Sequence, residues 1–321
     1  MGGGVQSDMQ AWLQQPNRTF VSKRRSNRWG EFKSAGHRAV KSIMKSGLTG
    51  LAACAVFGIF TSLAVPAAAQ TPADFPRATN GKPDLSGIWQ AMNMANWNVE
   101  PHSSDFPIDP SLGAMFAVPP GQGVVVGGEI PYLPGMREKQ KENFTNRVQL
   151  DGENKCYLPG VPRATYMPYP FQIIQGDRDM MIVYEYAGGV RVVNMGIASE
   201  APAESWMGWS NGTWDGDTLV IDVTSQVADT WFDRAGNFHG DQLHVVERYT
   251  PRSKDTLMYE ATIEDPGTFS EPWTIRMPLY RHVEEGAKII EYKCVIYAEE
   301  LLYGHLRKGV WKPENEEDGN E

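Results

Sequence analysis

From Phe171 onward, apolar and polar residues alternate with period two, and turn sequences cut the alternation every few residues. Period two places successive side chains on opposite faces of a strand. Strands joined this closely can pair only with their neighbours, in an antiparallel meander. Segments 171–175 and 180–186 flank Gly176-Asp177-Arg178-Asp179, and Gly188-Gly189 leads into 190–195. Segments 206–214 and 218–224 flank Asp215-Gly216, a strong hairpin signal. Segments 242–250 and 256–264 form another hairpin, and 273–282 and 288–297 a last one across Glu284-Glu285-Gly286. With a first strand at 84–90, about ten strands are expected. The predicted fold is all-β, an up-and-down antiparallel barrel, with a sandwich as the alternative.

What precedes the meander is of two kinds. Residues 1–43 are polar and basic, without periodicity, and read as a leader that is not translated or not folded. Residues 44–69 have a positive start, a charge-free apolar run over 46–65 and a small-residue end at Ala67-Ala68-Ala69. That is a secretory signal peptide, with a membrane-spanning helix as the alternative for so long a run. Leu51-Ala52-Ala53-Cys54 matches a lipoprotein box, but the apolar run continues past the cysteine. Lys23-Arg24-Arg25 lies too far from that run for a twin-arginine signal. Residues 70–170 hold the first strand and a long Pro/Gly-rich wrap, with a short helix expected near 137–144. A segment of this length in a compact domain commonly covers a pocket. The meander domain spans 171–310 and ends in a short helix, and 311–321 is an acidic tail expected to be disordered.

The first 69 residues carry nine of the 30 basic residues and two of the 39 acidic ones, leaving 21 against 37, a net charge of −16. Such a surface repels nucleic acid and anionic membranes. The expected location is periplasmic or secreted, with no stable membrane anchor once the signal is cleaved. Cys156 and Cys294 are then the remaining cysteines, either bonded to each other, as an oxidising compartment permits, or buried as thiols.

The stretch from Asp229 to Tyr249 concentrates the proton-transferring and ligating groups. Strand phase puts Leu243, Val245, Glu247 and Tyr249 inward, opposite Leu257, Tyr259, Ala261 and Ile263, and turns His244 and Arg248 outward. Glu247 on an apolar face must be paired or protonated. It is a candidate acid/base or ligand-orienting group; the alternative is a structural ion pair with Arg191 or Arg234. His239 lies in a Gly-rich loop beside Asp233-Arg234, so His239, Glu247 and Asp233 form a candidate proton-transfer set. The spacing His239, His244, Glu247 does not suit a metal, because His244 and Glu247 face opposite sides of a strand. No phosphate cradle, nucleophile elbow or Cys-x-x-Cys is present, and no cofactor is expected. Trp206, Trp273, Tyr249 and Tyr259 are candidate pocket walls, and Arg234 a candidate ligand contact; the alternative is that the aromatic residues fill the core.

Four segments carry a resemblance: Lys82-Pro83-Asp84-Leu85-Ser86-Gly87-Ile88-Trp89, Leu158-Pro159-Gly160-Val161-Pro162-Arg163, Asp233-Arg234-Ala235-Gly236-Asn237-Phe238-His239 and Glu299-Glu300-Leu301-Leu302-Tyr303-Gly304-His305. They resemble an uncharacterised family of secreted proteins of soil and marine bacteria, which implies no activity and no catalytic residue. Gly87-Ile88-Trp89 and the strand count are similar to lipocalins, which implies a small apolar ligand by analogy of fold. The expected function is a binding protein for a small, largely apolar or amphipathic molecule in an aromatic-lined barrel. The alternatives are a cofactor-free isomerase, lyase or hydrolase using Glu247, His239 and Asp233, and a structural envelope protein.

Overall fold

A computed structural model describes residues 72, 74–105, 117–176, 179–196 and 198–303. The leader, signal peptide and acidic tail lie outside the described residues. Nine strands close into one barrel in chain order: β1 Gly87–Ala91, β2 Phe171–Gln175, β3 Asp179–Tyr184, β4 Val190–Met195, β5 Trp209–Asp215, β6 Thr218–Thr224, β7 His244–Ser253, β8 Thr256–Glu264 and β9 Trp273–Arg281. The all-β barrel expected from the alternation is therefore present. No described helix is long and apolar enough to cross a membrane.

Two details of the expected meander differ. The ring is mixed, because β4 and β5 run parallel through Val193↔Ser210, Asn194↔Asn211 and Met195↔Gly212. Parity requires this. Strand direction must return to its starting value after one circuit, so a ring of nine cannot alternate throughout. Residues 196–208 make the return that parallel neighbours need. The second difference is segment 288–297, which alternates but pairs with no strand. β9 already meets β8 on one side, and on the other β1 along its lower part and residues 124–126 of the wrap along its upper part, so no ladder position is left. Segment 288–297 instead packs Tyr292 against Tyr169 (ring centroids 4.6 Å apart) and bonds Cys294 to Cys156.

The two ends of the barrel differ. Tight turns join β2 to β3, β5 to β6 and β7 to β8 at one end. There the Trp89 indole donates to Leu85 O at 2.9 Å and the Arg281 guanidinium stacks 4.2 Å from the Trp89 ring. The long connections lie at the other end: the wrap between β1 and β2, and residues 225–243 and 265–272. The wrap holds helices α1 (Met136–Thr145), α2 (Arg147–Leu150) and α3 (Arg163–Tyr166), the first where a helix was expected. A last helix, α4 (Ala298–Tyr303), follows the strap 282–297. β1 is short, so the upper edge of β9 is free for the wrap: Val126 N donates to Thr274 O and Arg276 N to Val124 O.

Strand phase holds throughout the largest hairpin. Tyr249↔Tyr259, Glu247↔Ala261 and Val245↔Ile263 are cross-strand pairs, and all six side chains are buried. On the outer face, His244 meets Asp222 at 2.8 Å and Arg248 meets Asp215 at 2.7 Å.

Candidate functional site

Three buried polar centres lie in or above the barrel. The first is at Glu247, which is 0% exposed. Its Oε2 accepts from Arg191 Nη2 across the lumen. Its Oε1 accepts from the hydroxyls of Tyr249 (3.0 Å) and Tyr259 (2.9 Å). Burial, then the Glu247 charge, holds both phenols well above their ordinary range. Arg191 stays charged because Glu247 outweighs the cost of burial. Glu247 is thus a paired carboxylate whose oxygens are occupied.

The second centre is Asp233, fully buried in the loop before β7. Its Oδ1 accepts from Ala235 N (2.9 Å) and Asn237 N (3.2 Å), and its Oδ2 from Val99 N (2.8 Å) and Asn237 Nδ2 (2.7 Å). Burial pushes its carboxyl up to about 7, against these N–H donors and Arg163. The loop sits on α1 at Gly236, whose φ is +81°. A Cβ there would lie 2.6 Å from Phe144 N, so only glycine fits this approach.

His239 belongs to neither centre. Its Nδ1–H donates to Gly240 O at 2.7 Å, which leaves Nε2 to accept from the Thr230 hydroxyl at 2.7 Å. Burial lowers its pKa and keeps the ring neutral. Glu247, His239 and Asp233 therefore share no hydrogen-bond partner, and the four donors around Asp233 hold the loop instead of orienting His239.

The third centre is a lattice of opposite charges on the loop end. Arg163, in α3, grips Asp151 with two parallel bonds (2.8 and 3.0 Å), Glu153 at 2.6 Å and Asn96 Oδ1 at 2.8 Å. Arg234 takes the other side of Glu153 at 2.8 and 2.6 Å and reaches Glu299 at 2.6 Å. Its guanidinium also stacks 4.4 Å from the Trp97 ring. Burial opposes ionisation of Glu153, but Arg234 and Arg163 outweigh it and hold the carboxyl at about 2.

That shift has a consequence for stability. The folded pKa lies below the ordinary 4.5, so Glu153 stabilises the fold at pH above 4.5, and the contribution is lost as pH falls toward 2. The loss is on the order of 3 kcal/mol. In urea titrations between pH 6 and pH 2.5, Glu153→Gln should start less stable than the parent and lose less on acidification. Equal losses in both proteins would remove this account.

The charge lattice borders a cleft of about 510 Å³ walled by Trp97, Tyr169, Tyr186 and Tyr292, with Glu153 and Arg234 at its floor. The three tyrosines form one cluster, with ring centroids 4.6 to 5.6 Å apart. The Tyr186 hydroxyl donates to Glu153 O at 3.0 Å. Burial raises the pKa of both Tyr169 and Tyr186. The disulfide fixes one rim, since Cys294 lines the cleft.

Of the residues expected at a site, Arg234 lines this cleft. Tyr249 and Tyr259 are interior core. Trp273 packs edge-on to Phe232 (5.3 Å) and Phe269 (5.4 Å). Trp206 is half-exposed against Tyr157, with centroids 4.9 Å apart. Cys156 and Cys294 are bonded, with Cα atoms 5.6 Å apart. Sequence reasoning missed Trp97, Tyr169, Tyr186, Tyr292, Glu153 and Arg163. Arg163 alone had a signal, the Leu158-Pro159-Gly160-Val161-Pro162-Arg163 segment.

Comparison with protein-family models and with curated proteins finds no match for this chain.

Proposed function

We propose that this is a periplasmic or secreted binding protein for a small, largely apolar or amphipathic molecule, bound in the cleft at the loop end of the barrel. The observation that carries the reading is the wall of Trp97, Tyr169, Tyr186 and Tyr292 above the Glu153–Arg234 pair. Aromatic faces take the apolar body of a ligand, and a few fixed polar groups take its polar end. The floor is held rigid by buried ion pairs and the rim by a disulfide, so little ordering is left to be done on binding. The interior is a less favourable place, because Tyr249 and Tyr259 commit their hydroxyls to Glu247.

The disulfide and the signal-like segment before residue 70 support an oxidising compartment. The acidic surface argues against nucleic acid as a partner. The acid–base enzyme has less support: burial raises the Asp233 carboxyl, but Glu247, Asp233 and His239 are each engaged in separate internal bonds.

The test is mass spectrometry of the protein purified from its own compartment, under native and then denaturing conditions. The expected result is a small-molecule adduct that is lost on denaturation and absent from the Trp97→Ala/Tyr292→Ala variant. A bare mass for the parent protein would sink the reading, as would an adduct that the double variant keeps.

A further inference from the structure

β9 closes the barrel onto β1, so the strap 282–297 and α4 come after closure and take no part in a ladder. Together they supply half of the residues that line the aromatic cleft, among them Tyr292, Lys293, Cys294 and Glu299. Val283, Ile290, Val295 and Ile296 of the strap are 49 to 67% exposed, so these side chains bury little apolar surface. Past His282, Ile290 N donates to Glu185 Oε2 at 3.2 Å, Tyr297 N donates to Asn154 O at 3.0 Å, and Tyr292 packs against Tyr169 and Tyr186. The covalent tie is the Cys156–Cys294 bond. Cys156 directly follows the turn 152–155, which carries Glu153 of the cleft floor. Both cysteines are half-buried, within reach of a small thiol.

We propose that the Cys156–Cys294 bond is a redox latch on the aromatic cleft: oxidised, it holds the strap down as one wall, and reduced, it lets the strap lift and the bound molecule leave. The inference rests on the cleft being the binding site and adds its regulation. The reductant is a dithiol. Its thiolate attacks one sulfur of the bond, forming a mixed disulfide and expelling the other sulfur as a thiolate, which takes up a proton. The second thiol of the reductant then displaces the remaining cysteine. Two electrons and two protons pass to Cys156 and Cys294, and the dithiol leaves as a disulfide. A segment with few buried apolar contacts opens at low free-energy cost, so the released strap lifts without unfolding the ring. Tyr292 then parts from Tyr169 and Tyr186, and the cleft loses an aromatic wall together with its Cys294 rim.

The test compares the protein from its own compartment before and after reduction with dithiothreitol, read by amide hydrogen exchange and by native mass spectrometry of the small-molecule adduct. After reduction, exchange should become fast across 283–303 while β7, β8 and β9 stay protected. The fraction of chains carrying the adduct should fall at least about tenfold, and reoxidation should restore protection of the strap. Cys156→Ser/Cys294→Ser should match the reduced parent and ignore dithiothreitol. A strap as protected after reduction as before, or an adduct kept with the strap open, would overturn the proposal. So would exchange as fast in β7, β8 and β9 as in the strap, which would make the bond a staple of the whole fold. An oxidised parent without an adduct would count against the binding reading instead, and exchange of the strap alone would then judge the latch.

Discussion

Replacing Cys156 and Cys294 with serine is expected to lower the unfolding free energy by about 2 to 5 kcal/mol. The bond closes a loop with a sequence separation of 138 residues, which contains eight of the nine strands. Chain entropy sets the upper figure, because a cross-link of that span removes many conformations from the unfolded chain. The lower figure allows for the strap 282–297, which gains freedom in the folded variant once it is released. Urea denaturation separates these contributions. The midpoint should fall and the m-value should rise, since an unfolded chain without the cross-link exposes more surface. An unchanged midpoint would mean that the strap detaches without consequence for the barrel, and the rim of the cleft would lose its anchor.

Glu247→Ala is expected to cost about 3–5 kcal/mol, because it leaves the Arg191 guanidinium charged, buried and without its counter-ion. Two phenols lose their acceptor at the same time. The informative comparison is the double variant Arg191→Met/Glu247→Met. Removing both charges and refilling the volume is often neutral or stabilising, but the buried Tyr249 and Tyr259 hydroxyls still lack an acceptor, so the double variant should regain part of the loss and stay about 1–3 kcal/mol below the parent. If the pair is structural, ligand occupancy in the cleft should survive in the double variant. A stable double variant that has lost its ligand would instead place Glu247 in the function.

The strands were legible because alternation and the Asp215-Gly216 turn are local signals. The same alternation put Glu247 on the inner face, and Arg191 was one of the two partners its burial called for. Alternation could not show whether a partner edge was free, and for that reason 288–297 read as a strand. Nor could it show strand direction. The Gly-containing link 196–208 reads the same whether the chain turns back or climbs the barrel. The cleft was hidden for another reason. Trp97 and Tyr169 come from the wrap, Tyr186 from the β3–β4 link and Tyr292 from the strap, and no spacing rule relates positions on three separate connections. Asp151, Glu153 and Arg163 lie close in sequence, but in irregular backbone no spacing rule says which charges meet. Asp233 and His239 stood out as neighbours, yet each turned to a different part of the loop end.

The odd strand count also constrains how such a ring can change. Hairpins enter and leave a chain as pairs of strands, so gaining or losing one keeps the count odd. The parallel joint between β4 and β5 is therefore preserved through any history of hairpin insertion or deletion. Only the gain or loss of a single strand could remove it, and that would reverse the direction of the chain for everything that follows.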